Sequence, residues 1–255
     1  MAEQEQSPAP GAEGSPKLLA VCVVALVAAL VVLAVRFPQM RIDYYLGNIA
    51  QSLAYERRIH KADVEALVAL GEGIHPELIR QLEDKDTDPG VCVGILLVLD
   101  HEKDSEAVTK ALRGALDHGH PNVRTTALMR LVKRVPEEGV ALVRGRFEKE
   151  NEGARRVALL RNVAARMEPT AELLGFVAEQ VGNDVVEVRL EAVSVLVRLT
   201  GIELKLDQGA LKAAPEVWKA WSASLREAVK DGKPKALPPF PKTGGDAGGS
   251  PGEGD

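Results

Sequence analysis

Aromatic residues are scarce in this chain, at 4% of its 255 residues. There are only two cysteines, Cys22 and Cys92, one of them inside an apolar run, so a disulfide framework is excluded. No block of lysine and arginine stands out either. Basic residues are interspersed with acidic ones and the net charge is -5, which argues against a nucleic-acid partner. The signatures of common chemistry are missing too: there is no Gly-x-Ser-x-Gly, no phosphate-binding glycine loop and no His-Glu-x-x-His. We therefore expect no catalytic residues, no metal, no cofactor and no small-molecule substrate, and we expect the chain not to be an enzyme.

What the chain does have is Ala, Val and Leu. An aliphatic composition with few strand or hairpin signals favours helices packed closely on helices, so the expected class is all-α. Composition divides the chain into zones. Residues 1–16 and 231–255 are rich in Pro, Gly and polar residues and are expected to be disordered tails. Between them lie an apolar segment within 17–36, a membrane-proximal helix within 37–61 and a long helical region over 62–230.

The run Leu18 to Val35, "LLAVCVVALVAALVVLAV", contains no polar residue but Cys22. At ~1.5 Å per residue it spans roughly 27 Å, enough to cross a hydrocarbon core. A cleavable signal peptide is the rival reading. Its apolar core is typically shorter, ~7–15 residues, and ends in small residues at a cut site. Here the run ends Val32-Leu33-Ala34, a poor cut site, with Arg36 close behind. The expectation is a single-pass anchor in the lipid bilayer. Lys17 and the terminal amine on one side balance Arg36 and Arg41 on the other too closely for the charge rule to set the orientation.

Downstream, one pattern recurs. The pairs Ala66-Leu67, Ile95-Leu96, Ala127-Leu128, Ala158-Leu159 and Ala192-Val193 open similar apolar-periodic segments, with first positions 29, 32, 31 and 34 residues apart. A period of that size marks a stacked repeat array. Each period carries a second amphipathic segment, at 76–84, 105–117, 137–149 and 170–181. Pro76, Pro89, Pro121, Pro136, Pro169 and Pro215 fall at segment starts, where the missing N–H costs nothing. Asp63, Ser105 and Asp184 are expected N-caps, and Gly71, Gly119 and Gly201 expected C-terminal stops. The reading is an α-solenoid of about four to five helix-turn-helix repeats, preceded by one transmembrane helix, because stacked pairs bury faces that one pair cannot.

The stretches "PNVRTTALMRLV" and "DVVEVRLEAVSVLVRL" resemble the first helix of HEAT repeats, with a polar residue, Val-Arg, then Ala-x-x-x-Leu. The resemblance covers most of residues 63–200. It departs where Cys92 stands in the arginine position and where Asn162 replaces a core leucine. The unit is shorter than the usual ~40 residues and is similar to short HEAT-like repeats of bacteria. Residues 199–221, with Leu-Thr-Gly and two tryptophans, look like a terminal unit of such arrays. The resemblance implies that Arg124, Arg156 and Arg189 support contacts between units. It also implies that the second helices line a concave, protein-binding face. On that face Lys110, Arg113, Arg144, Glu148, Glu172 and Glu179 are the expected partner contacts. A membrane-tethered, non-catalytic scaffold for a protein partner follows; an enzyme accessory or lyase-like protein, or a structural spacer in a membrane assembly, are the alternatives. His118 and His120 sit in a turn and are read as helix-end histidines, Cys92 as a small core residue, and Trp218 and Trp221 as the seal of the last repeat.

Overall fold

A computed structural model describes residues 16–56, 58–102, 105–204, 206 and 208–241. Among them there is no strand, and these residues form twelve α-helices with two short 3-10 turns. They fall into two compact units, residues 1–71 and 72–255.

The first unit is built on α1 (Pro16–Glu56) and α2 (Lys61–Val68). The expected boundary between the apolar run and a separate helix after it is not a break, because α1 runs through both with Pro38 inside it. Proline there removes one helical hydrogen bond, and the long helical stretches on either side carry the helix across. Val21, Val24, Leu26, Leu30 and Val32 are all exposed. One helix among the described residues is thus long and apolar enough to cross a membrane, with a mean hydropathy of 2.6 and 0% of its apolar window buried. A soluble core helix would show the opposite burial. In the second half of α1 the spacing changes: Ile42, Leu46 and Ile49 are buried, at intervals that place them on one helix face. That face packs on α2, which contributes Val64 and Leu67.

The second unit holds α3 (His75–Glu83), α4 (Pro89–Leu99), α5 (Glu106–Ala115), α6 (Pro121–Arg134), α7 (Gly139–Lys149), α8 (Gly153–Arg166), α9 (Ala171–Gln180), α10 (Val186–Thr200), α11 (Gln208–Leu211) and α12 (Pro215–Val229). Helices α4, α6, α8 and α10 pack each on the next of that series, while α3 packs on α5, α7 on α9 and α9 on α12. Leu128, Leu160, Leu174, Val177, Leu196 and Leu225 share one continuous core. Each such leucine, fully buried, contributes roughly 1.5–3 kcal/mol.

Local chemistry sets the helix ends. Pro89, Pro121 and Pro215 begin their helices. Ser105 caps α5 as expected, its hydroxyl accepting from the Val108 amide at 3.2 Å. Asp63 does not cap: it lies inside α2, whose N-cap is His60. Asp184 does not cap either, since α10 starts one residue later than the acid would require and its N-cap is Val185. Asp88, His120 and Thr170 do that work for α4, α6 and α9. Gly71 and Gly201 take positive φ, +81° and +73°, where a Cβ would be strained. Gly119 does not share that conformation.

The chain after α12 departs from the expected disorder at 231. Leu237 is buried, and Phe240 sits 4.9 Å from Trp218 and 5.0 Å from Trp221, ring to ring. The Trp221 indole N–H donates to the Pro238 carbonyl at 2.9 Å. The two tryptophans therefore recruit the proline-rich segment as a cover, which composition alone does not register. Of the expected tails 1–16 and 231–255, residues 1–15 and 242–255 lie outside the described residues.

Candidate functional site

The recurring arginines take positions at the starts of α6, α8 and α10, and those of α6 and α8 reach carbonyls of the turns between helices. Arg124 is buried and its guanidinium is fully engaged. It donates to the His118 and Gly119 carbonyls at 3.0 and 2.8 Å and to the Glu150 carboxylate at 2.9 Å. Arg146 of α7 reaches the same carboxylate at 2.6 Å and the Leu116 carbonyl at 3.0 Å. Arg156 donates to the Glu150 carbonyl at 2.7 Å and lies over the Phe147 ring. Arg189, also buried, lies over Trp218 at 5.3 Å. Burial pushes the Glu150 carboxyl up, but the hydrogen bond from Arg124 and the charges of Arg146 and Arg124 outweigh it and hold the group below its ordinary range.

Cys92 and His118 meet, although 26 residues separate them, with Sγ 3.9 Å from Nε2. Their protonation runs against a nucleophilic pair. Burial, with the charges of Asp88 and Asp84, pushes the thiol up to about 11. Burial also lowers the His118 imidazole. The His118 Nδ1 accepts the His120 amide at 3.0 Å, so in the neutral ring Nε2 carries the proton. An activated cysteine requires a depressed thiol and a charged neighbour, and this pair has neither. Among the described residues no three of His, Cys, Asp or Glu converge on a metal position.

Between the segment around 82–89 and the segment 110–120 runs a groove of about 1180 Å³, lined in part by Thr87, Gly114 and His118. One junction further along the chain a smaller groove, about 310 Å³, is lined by Arg124, Arg146 and Glu150.

The six expected contact residues lie on α5, α7 and α9. Lys110 and Arg113 line the larger groove, and Arg113 is held by both oxygens of Glu138, at 2.8 and 2.9 Å. Arg144 and Glu179 are joined to each other at 2.8 Å, with the guanidinium 5.1 Å above the Phe176 ring. Glu148, Glu172 and Lys110 are exposed and make no ion pair among the described residues. The structure thus leaves three of the six side chains open and ties the other three to the protein. Sequence reading missed Glu138, Glu150 and the Cys92–His118 contact. A matching signal was present: Glu150 follows Arg124 by 26 residues, as His118 follows Cys92.

Compared with known proteins, the chain matches no family model, no curated protein and no solved structure.

Proposed function

We propose that this chain is a membrane-tethered scaffold, a HEAT-like stack of helix pairs that binds a protein partner on the surface of its second helices and carries out no chemistry itself. The observation that supports this most is the ladder of links between helices about one repeat apart. Arg130 pairs with Asp100 at 2.8 Å, Lys149 with Asp117 at 3.0 Å, Arg144 with Glu179 at 2.8 Å and Arg161 with Glu191 at 2.8 Å. The Arg134 guanidinium likewise donates to the Glu102 carbonyl. Links that repeat at such separations are what a nearest-neighbour array requires. A stack of this kind offers a long surface, and the apolar half of α1 offers a tether.

The test uses a photo-crosslinking amino acid in the full chain, in its native membrane. Positions 110, 148 and 172 sample exposed second-helix sites, and Ala158 and Ser194 sample exposed first-helix sites. The proposal predicts a discrete protein adduct from the second-helix positions and none from the first. Equal labelling from both sets, or none from either, contradicts it.

A further inference from the structure

Two successive junctions of the second unit correspond at an offset of 32 residues. Val108, Ala111 and Ala115 of α5 are buried, as are Val140, Val143 and Phe147 of α7. Cys92, Leu96 and Leu99 of α4 are buried, as are Arg124, Leu128 and Leu131 of α6. At the later junction the turn region is filled by Arg124, Arg146 and Glu150. At the earlier one the same places hold Cys92, Gly114 and His118.

The substitution is visible in the contacts. Arg124 donates to the carbonyl five residues back, Gly119, and to the residue 26 ahead, Glu150. Cys92 faces the same two places, the Thr87 carbonyl and His118, but through a sulfur at 3.9 Å from each. A Cβ built at Gly114, where Arg146 would correspond, meets nothing within 4 Å. The volume left in the groove is about 1180 Å³, against about 310 Å³ where the arginines are present.

The surroundings favour a cation. Glu83, Asp86 and Asp88 line this groove, as does Asp117, whose charge is matched by Lys149. Lys85 and Lys110 also line it, while the Arg113 charge is matched by Glu138. The fields of Asp88 and Asp84 reach Cys92, where both disfavour a second negative charge. His118, lowered by its burial, adds no opposing charge at neutral pH.

We propose that this groove receives an arginine side chain of the partner protein, which enters where the chain lacks a guanidinium of its own. The Thr87 carbonyl and the acidic rim supply acceptors for its fork of N–H donors. The proposal rests on the reading of the chain as a protein-binding array and adds the chemistry of what that array takes. A lysine is the poorer fit, because the equivalent site at Arg124 is served by a planar group that donates in several directions at once.

The full chain in lipid nanodiscs, isotope-labelled at glycine and histidine, is titrated with N-acetyl-arginine amide and, in parallel, with N-acetyl-citrulline amide, its uncharged isostere. We expect saturable shifts at Gly114 and His118 with the arginine probe and at least tenfold weaker binding of citrulline. Cys92→Arg and Gly114→Arg, each supplying an internal guanidinium, are expected to abolish the response. Gly114 is exposed on α5, so the second variant tests the site even if the first disturbs the core. Equal response to the two probes, no saturable response, or undiminished binding in Gly114→Arg overturns the proposal. If the arginine probe fails while second-helix crosslinks persist, the groove assignment alone falls. If it binds while those crosslinks are absent, the groove stands and the array reading falls.

Discussion

Glu150 is a single buried carboxylate shared by Arg124 and Arg146. Its removal as Glu150→Gln leaves two guanidiniums without their anion, and breaking a buried pair of this kind costs about 3–5 kcal/mol. Chemical denaturation at neutral pH measures that loss directly. The pH dependence has a definite sign. The folded chain holds Glu150 ionised below the range where an unfolded glutamate, near about 4.3, takes up its proton. Its contribution is therefore complete above that range and is lost as pH falls through the lower folded value. We expect wild-type stability to fall more steeply in acid than that of Glu150→Gln. Cys92 gives a second residue-scale outcome: buried and pushed up to about 11, it should react with a thiol reagent at pH 8 at least a hundredfold more slowly in the folded chain than in urea. The recurring arginines were legible from their spacing. Their partners were missed, because Glu150 and His118 lie between helices, where no apolar pattern marks them, and only their common separation of 26 residues from Arg124 and Cys92 could have pointed to them.

At the scale of elements, the sequence located the helices of the second unit closely, because alternating first and second segments each carry a 3.6-residue apolar pattern and three of them, α4, α6 and α12, begin at proline. The caps were less legible. An acid near a helix start caps only if it falls one residue before the first turn, as Asp88 does and Asp63 does not. Asp88 accepts from the Gly90 and Val91 amides at 2.7 and 3.3 Å, so Asp88→Ala should cost about 1 kcal/mol in thermal or urea unfolding. The C-terminal cover escaped the sequence altogether. Proline-rich composition suggests an open chain, yet one phenylalanine finds two indoles. Phe240→Ala removes the ring from that cluster without touching α12, and we expect a loss of about 2–3 kcal/mol, somewhat below that of a fully buried phenylalanine. Tryptophan fluorescence should shift to the red in the same variant; an unchanged spectrum would show that the cover does not shield the indoles.

At the scale of the whole molecule, the absence of strands among the described residues and the helical pairing follow from composition and period, whereas the pairing of α1 with α2 depends on a change of face within one helix. That change, from exposed Val and Leu to buried Ile42, Leu46 and Ile49, marks where the exposed apolar stretch gives way to protein packing. The scaffold reading needs this tether to remain on the mature protein. Alkaline carbonate extraction of membranes, followed by intact mass of the recovered chain, tests that most directly. The account predicts a full-length chain that stays with the bilayer pellet. A carbonate-soluble protein shortened through the apolar run would contradict it.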